Sequence, residues 1–225
     1  MRIRHVKGAE EAVAQSPFVI QEPELWKGRW HEIFGNANPI ELEVGMGMGT
    51  FLRKLAALYP EKNYIGFEIN TTVLYKALNR YLAGRTEQGL TAEPEACNLR
   101  FIRSDARFLD ADFGDGEVDK IYLNFSDPWP KDKNANKRLT SPGFLQRYAK
   151  ILKPNGVIEF KTDNRGLFDY SAETFPEAGW EILELTHDLH QDARLCAGNV
   201  MTEYEAKFSA KGNPICKLIA RYRQD

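Results

Sequence analysis

The chain has 225 residues, of which 43% are hydrophobic and 28% are charged, and its formal net charge at pH 7 is −2. This length and composition fit one sizeable α/β domain with its own core. No apolar run reaches the length of a membrane span, so we expect no membrane association. The overall charge does not predict binding to a polyanion, and any nucleic-acid partner must therefore meet a local basic patch.

The cysteines indicate the redox environment. Cys97, Cys196 and Cys216 are odd in number and far apart, without the spacing of metal ligands. No apolar segment follows the basic start of the chain, so the sequence shows no signal peptide. We therefore expect reduced thiols in a cytoplasmic protein that has no metal site.

The first 35 residues differ from the remainder of the chain. They contain two features, a basic cluster of Arg2, Arg4, His5 and Lys7 and a helically spaced aromatic set of Trp26, Trp30 and Phe34. We interpret residues 1–35 as a basic arm followed by a short helix, and residues 36–225 as a single domain. Simple disorder of the arm is the alternative.

A strand, a glycine turn and a helix open the domain. The pattern of residues 39–44 predicts a buried strand. The turn Gly45-Met-Gly-Met-Gly49 follows this strand directly. Thr50 is a candidate cap for a helix that ends at Pro60. Glycines in such a turn let the backbone approach a ligand closely, as in nucleotide-type α/β folds.

The second strand, over residues 63–69, carries Glu68 at its end. An acid at this point accepts hydrogen bonds from ribose hydroxyls in dinucleotide and nucleoside folds. Asn70 is expected to cap a helix that Gly84 ends, and residues 85–97 to form a surface loop. Asp105, just beyond the third strand, is placed to meet an adenine amino group.

The remaining elements continue the alternation of strands and helices. Strands are predicted over 99–103, 121–126, 156–163, 180–186 and 216–222, with helices from Thr140 or Ser141 to about 152 and from about 166 to 177. This alternation predicts an α/β fold with a doubly wound, mostly parallel, seven-stranded sheet and helices on both faces, similar to a Rossmann fold.

Ser126-Asp-Pro-Trp-Pro-Lys131 follows the fourth strand. Two prolines keep the backbone extended around Trp129, immediately after Asp127. Lys131 opens a basic loop in which Lys133, Lys137 and Arg138 are candidates for binding phosphates. The sequence favours a site here, although a capped strand end with a solvated loop is the ordinary alternative.

Carboxylates follow or end the first five strands. They are Glu43, Glu68, Asp105, Asp127 and Asp163. Ligands of such sheets bind outside the carboxyl ends of the strands. An acidic array suits a cationic, hydroxyl-rich ligand better than a phosphate-rich one, which points to S-adenosylmethionine. The glycine spacing also departs from the Gly-x-Gly-x-x-Gly pattern of pyrophosphate binders.

Five motifs resemble those of the bacterial tRNA (guanine-N7)-methyltransferase family of the TrmB type. They are Glu-Val-Gly-Met-Gly-Met-Gly (43–49), Tyr-Ile-Gly-Phe-Glu (64–68), Leu-Asn-Phe-Ser-Asp-Pro-Trp-Pro-Lys (123–131), Phe-Lys-Thr-Asp-Asn (160–164) and Met-Thr-Glu-Tyr-Glu (201–205). The resemblance runs in order over nearly the whole chain, and the fourth-strand block is its most specific part. It implies methylation of guanine 46 in the tRNA variable loop with S-adenosylmethionine.

The resemblance also implies roles for individual residues. Cofactor contacts fall on Glu43, Gly45, Gly47, Gly49, Glu68, Asp105 and Asp127, with Asp127 also the catalytic candidate. Substrate contacts fall on Lys131, Asp163, Thr202, Glu203, Tyr204 and Glu205. Trp129 or Tyr204 are candidates for stacking on the guanine, with packing in the core as the alternative.

The chemistry of the reaction is consistent with these residues. Guanine N7 carries a free lone pair, so no base is needed to create the nucleophile. Methylation leaves a positive charge on the purine, which the carboxylates of Asp127 and Asp163 can stabilise.

Three other functions remain open at this point. They are methylation of a small molecule or a protein, RNA binding without catalysis, and nucleotide-dependent oxidation. The first predicts no dependence on the basic loop, while Asp127 and the glycine spacing disfavour the other two. The sequence leaves open whether the protein is a monomer or a homodimer.

Overall fold

A computed structural model describes residues 5–91 and 93–223. Arg2 and Arg4 of the predicted basic arm lie outside this range. The chain divides into two compact units, one up to Gly114 and one from Asp115 onward. The division of the chain at residue 35 remains a prediction.

The first unit contains four strands in the order β1-β4-β3-β2, all paired in parallel. Its elements are α1 (Ala9–Gln15), β1 (Val19–Ile20), α2 (Trp30–Phe34), β2 (Ile40–Val44), α3 (Thr50–Leu58), β3 (Asn63–Phe67), α4 (Thr71–Glu87), β4 (Leu99–Ile102) and α5 (Leu109–Asp112). Short 3₁₀ turns cover Pro23–Trp26, Pro94–Ala96 and Ala106–Phe108.

Two helix ends in this unit differ from the prediction. The residue that caps α3 is Gly49, with φ 67° and no side-chain bond, so Thr50 is already inside the helix. Helix α4 continues through Gly84 to Glu87 and shortens the predicted loop. Asn70 does cap α4 as predicted, since its Oδ1 accepts from the Val73 amide at 3.2 Å.

The segment before β2 adds a strand that the sequence did not predict. In the short β1 strand, Val19 pairs with Phe101 of β4. Trp30, in α2, is completely buried and stacks on Phe113 with ring centroids 5.0 Å apart. The aromatic spacing predicted one packed helix here; α2 contains Trp30 and Phe34, whereas Trp26 ends the preceding 3₁₀ turn.

The second unit has the strand order β5-β6-β8-β7, with β5 and β6 parallel and the other two pairs antiparallel. Its elements are β5 (Val118–Asn124), α6 (Pro142–Ile151), β6 (Leu152–Thr162), α7 (Arg165–Glu177), β7 (Trp180–Thr186), α8 (Ala193–Cys196), α9 (Glu203–Ser209) and β8 (Cys216–Tyr222). Short 3₁₀ turns cover Asp132–Lys137 and Leu189–Gln191. The sequence did not predict α8 or α9.

The predicted α/β class is therefore confirmed, with one strand more than expected. The described residues form eight strands, and four of the pairings within the two units are parallel while two are antiparallel. Within residues 5–91 and 93–223, none of the helices combines the length and apolar character of a membrane span.

Asp112 is an acid in the interior of the first unit. It is only 4% exposed, and among the described residues its Oδ2 has no hydrogen-bond partner. Burial, and secondly the charge of Glu24, raise the pKa of Asp112 to about 6. The folded protein therefore holds a proton that the unfolded chain releases nearer pH 4, so stability falls as the pH rises from about 4 to 6.

We predict that Asp112→Asn is more stable than the wild type by about 1–2 kcal/mol at pH 8, because the amide cannot ionise. The difference should shrink towards pH 4, as measured by urea unfolding across that range. Glu61→Gln, at an exposed acid of the same unit, is the control and should show no such trend. A difference between Asp112→Asn and the wild type that stays constant with pH would contradict the prediction.

Candidate functional site

The glycine turn of the first unit lies at the carboxyl end of β2. The amides of Gly45 and Met46 both donate to the carbonyl oxygen of Phe67, at 2.8 and 3.1 Å. Met46 is buried over Gly66, where an added Cβ would lie 2.2 Å from its sulfur. Met46 therefore packs in the core and anchors the turn against β3.

Glu68 is joined to this turn through its carboxylate. Its Oε2 accepts from the Gly47 amide at 3.1 Å, and its Oε1 accepts from the Asn70 amide at 2.9 Å. Each carboxylate oxygen can accept a second hydrogen bond. Gly47 has φ 57°, and an added Cβ would meet nothing within 4 Å, so the backbone here faces open space.

The other predicted acids of the first unit occupy different environments. Glu43 is buried on β2 at 2% exposure, whereas Asp105 begins a 3₁₀ turn after β4. The side chain of Arg107 bonds the Asp105 carboxylate at 2.7 Å and lowers the pKa of Asp105. Sequence reasoning missed two apolar residues that follow Glu68 and Asp105 in the chain, Ile69 and Phe108, which are 63% and 57% exposed.

In the second unit, the segment after β5 has strained backbone on both sides of Asp127. Phe125 has φ 52° and Trp129 has φ 42°, values that non-glycine residues rarely adopt. The Phe125 amide donates to the carbonyl oxygen of Lys161 at 2.8 Å. Asp127 itself is exposed. Such strain persists where the surroundings enforce it, often at functional sites.

Arg138 enforces this conformation. It is 8% exposed, and its guanidinium donates to the carbonyl oxygens of Pro128 and Trp129 at 3.1 to 3.3 Å. The same group lies 4.2 Å from the ring centroid of Tyr170. Phosphate binding by Arg138 remains a prediction, and its observed contacts give it a structural role in the turn.

The rest of the predicted basic loop is more accessible. Lys131, Lys133 and Lys137 are exposed. The ammonium group of Lys137 lies 4.8 Å from the ring centroid of Trp129. The loop therefore presents three cations next to the strained segment.

Tyr204, on α9, lies close to two of the predicted acids. Burial raises the pKa of Tyr204, and the negative charges of Asp163 and then Asp127 raise it further. The ring is nevertheless 47% exposed and lies 5.1 Å from the ring of Phe125. The fold thus brings together Asp127, Asp163 and Tyr204 from separate parts of the sequence.

Two other members of the predicted substrate motif have internal partners. The hydroxyl oxygen of Thr202 accepts from the Glu205 amide at 2.9 Å and so begins α9. Glu205 is completely buried, with Oε2 2.7 Å from the ammonium group of Lys161, which is also completely buried. The amide of Asn199 donates to Oε1 of Glu205 at 2.6 Å.

Lys161 is a residue that sequence reasoning missed. Its ammonium group also donates to Oδ1 of Asn199 and to the carbonyl oxygen of Val200, both at 3.1 Å. A lysine within a predicted buried strand is the only local signal, and its partner lies 44 residues further along the chain. Among residues 5–91 and 93–223, no cluster of three His, Cys, Asp or Glu side chains could hold a metal ion.

Solved structures of methyltransferases share the fold of this chain. The 16S rRNA methyltransferase KamB matches with a TM-score of 0.63 and 14% identity, covering 88% of this chain and 94% of that one. A 16S rRNA (adenine(1408)-N(1))-methyltransferase from Catenulisporales acidiphilia, solved with S-adenosylmethionine, matches with a TM-score of 0.55 and 13% identity over 88% and 91%. At such identities the likeness shows the fold, which is that of a class I methyltransferase.

Sequence relatives identify the family. A family model described as "Putative methyltransferase" matches residues 37–218. The tRNA (guanine-N(7)-)-methyltransferases of Lachnoclostridium phytofermentans and Streptococcus thermophilus are 47% and 48% identical, the first over 98% of both chains and the second over 99% of this chain and all of the relative. The chain belongs to the tRNA (guanine-N7)-methyltransferase family.

The buried ion pair generates a prediction about stability. Lys161→Met leaves the Glu205 carboxylate buried without its cation, which should cost about 3–5 kcal/mol of unfolding free energy in urea titrations. The double variant Lys161→Met/Glu205→Leu removes both charges and should recover much of this loss.

Lys153→Met is the matched control in the same unit. Lys153 pairs with Asp119 at 2.8 Å, but the two side chains are 42% and 27% exposed. Its loss should cost less than about 1 kcal/mol, because exposed ion pairs contribute little. If Lys161→Met and Lys153→Met lose the same unfolding free energy, the prediction that burial makes the first ion pair more important is wrong.

Proposed function

We propose that this protein methylates N7 of guanine 46 in the variable loop of tRNA, using S-adenosylmethionine. Membership of the family supports the reaction and the substrate class. The observation that carries the assignment to residues is the contact of the Tyr204 ring with Phe125, at 5.1 Å and two residues before Asp127. The charges of Asp163 and Asp127 also raise the pKa of Tyr204. Two carboxylates beside an exposed ring suit a purine that becomes positively charged.

The first unit fits the cofactor in the chemistry of its side chains. Glu68 is held by two backbone amides, and a carboxylate at this strand end suits recognition of ribose hydroxyls. The open backbone at Gly47 allows close approach, and the exposed Ile69 and Phe108 offer apolar surface for the adenine. We assign cofactor binding to Gly45, Gly47, Gly49, Glu43, Glu68 and Asp105.

The second unit supplies the groups that act on the guanine. S-adenosylmethionine supplies a methyl group activated by a sulfonium, and its transfer leaves a positive charge on the purine without moving a proton. Asp127 and Asp163 stabilise that charge and accept from the N1–H and N2 amino groups of the guanine. Tyr204 offers the more exposed ring for stacking, since Trp129 is partly covered by Lys137.

The basic loop provides the contacts to the tRNA backbone in this proposal. Lys131, Lys133 and Lys137 bind phosphates directly. Arg138 contributes mainly by holding the turn of Pro128 and Trp129. Thr202, Glu203 and Glu205 complete the substrate motif, with Glu205 acting through its buried contacts. The proposed setting is the cytoplasm, with the protein as a monomer or homodimer.

Glu68→Ala tests the cofactor assignment. Losing charged hydrogen bonds to the ribose should weaken S-adenosylmethionine binding by about 1.5–3 kcal/mol, measured by calorimetry. Glu61→Ala, at an exposed acid of the same unit, is the control and should leave the affinity unchanged. If Glu68→Ala binds the cofactor as tightly as the wild type, Glu68 is not part of the site.

Asp127→Asn tests the catalytic assignment, because it keeps the shape of the side chain and removes its charge. The rate of single-turnover methyl transfer to unmodified tRNA should fall about a hundredfold, while tRNA affinity changes little. Labelled methyl groups should appear as 7-methylguanosine with the wild type, and not with a tRNA that has uridine at position 46.

Asp132→Asn, five residues further along the same segment, is the control and should keep the wild-type rate. A normal rate for Asp127→Asn together with a collapse of tRNA affinity would make Asp127 a docking residue. Absence of 7-methylguanosine with wild-type protein would refute the function itself.

A further inference from the structure

Helix α9 carries an aromatic stack that extends beyond the predicted substrate motif. The rings of Tyr204 and Phe208 are 4.2 Å apart and nearly parallel, at 20°. Tyr204 also lies 5.1 Å from Phe125, at an interplanar angle of 38°. The stack therefore continues from the strained segment that carries Asp127 along the surface of α9.

This stack is anchored in the fold at both ends. Phe125 and Phe208 pack against a small buried cluster of Leu189, Leu195 and Ile215. Tyr204 lies between them and is 47% exposed. A ring held by neighbouring side chains that keeps an accessible surface loses little entropy when a flat ligand stacks on it.

Two lysines border the same stack. The ammonium groups of Lys207 and Lys211 lie 5.7 and 5.3 Å from the ring centroid of Phe208. Both residues are exposed to solvent. Aromatic rings combined with neighbouring cations are the means by which proteins bind single-stranded nucleic acid, because bases stack on the rings and cations hold the backbone.

We infer that α9 and the turn through Lys211 form a docking surface for the tRNA strand that carries the target guanine. An unstacked base lies on Tyr204, and the phosphates next to it contact Lys207 and Lys211. The inference rests on the proposed function for its ligand, and it adds Phe208, Lys207 and Lys211 to the tRNA interface. An ordinary solvated helix face is the alternative that the experiment must exclude.

The double variant Lys207→Ala/Lys211→Ala tests this surface. Binding of unmodified tRNA would be measured over a series of salt concentrations. Losing two phosphate contacts should reduce the slope of log affinity against log salt by about 1.4. At low salt the Kd for tRNA should rise at least about tenfold, while the affinity for S-adenosylmethionine stays that of the wild type.

Arg147→Ala/Lys150→Ala is the matched control on α6 of the same unit. It also removes two cations, and Arg147 lies 5.9 Å from the ring of Phe144 in a similar arrangement. This variant should keep the wild-type slope. Equal slopes for the two double variants would overturn the docking surface.

Tyr204→Leu and Tyr204→Phe separate stacking from the phenol hydroxyl. Tyr204→Leu removes the ring and should weaken tRNA binding about tenfold. Tyr204→Phe keeps the ring and should bind tRNA with wild-type affinity. Retained affinity in Tyr204→Leu would overturn the stacking role. Methylation of tRNA by the wild type, measured in parallel, distinguishes failure of the docking surface from failure of the proposed function. If guanine 46 is methylated while the slopes do not change, the docking surface fails and the proposed function stands.

Discussion

The ion pair between Lys161 and Glu205 links β6 to α9, the helix that carries Tyr204. Neither side chain is exposed to water. The Lys161 ammonium group donates to Glu205, to Oδ1 of Asn199 and to the carbonyl oxygen of Val200. The Glu205 carboxylate also accepts from the side-chain amide of Asn199. Removing two charges from water costs several kcal/mol, so such a pair persists only with full hydrogen bonding. Because Lys161 lies on β6 and Glu205 on α9, the ion pair holds α9, which carries Tyr204, against the sheet.

A second constraint acts on the segment after β5. Phe125 and Trp129 have backbone angles that cost energy in isolation. The carbonyl contacts of Arg138 and the bond from the Phe125 amide to Lys161 hold these angles in place. Asp127 is thus exposed on a segment whose backbone these contacts hold, which suits its proposed role of stabilising charge without reorganising.

In the first unit, backbone amides hold an acidic side chain in place. Glu68 accepts from the amides of Gly47 and Asn70, so its carboxylate, the glycine turn and the start of α4 are held together. The turn itself is anchored by Met46, which packs where Gly66 has no side chain. In the proposed function, the first unit recognises the ribose and the adenine, and the second unit recognises the guanine.

The sequence by itself determined the features that depend on near neighbours in the chain. The strand before Gly45, the cap of α4 at Asn70 and the acids at strand ends could be read directly, because alternation and capping are local. Only the tertiary structure decided that α4 continues past Gly84, and that Lys161 and Arg138 serve internal partners. Those outcomes depend on packing and on contacts between distant residues, whose energies exceed the local preferences that a sequence pattern records.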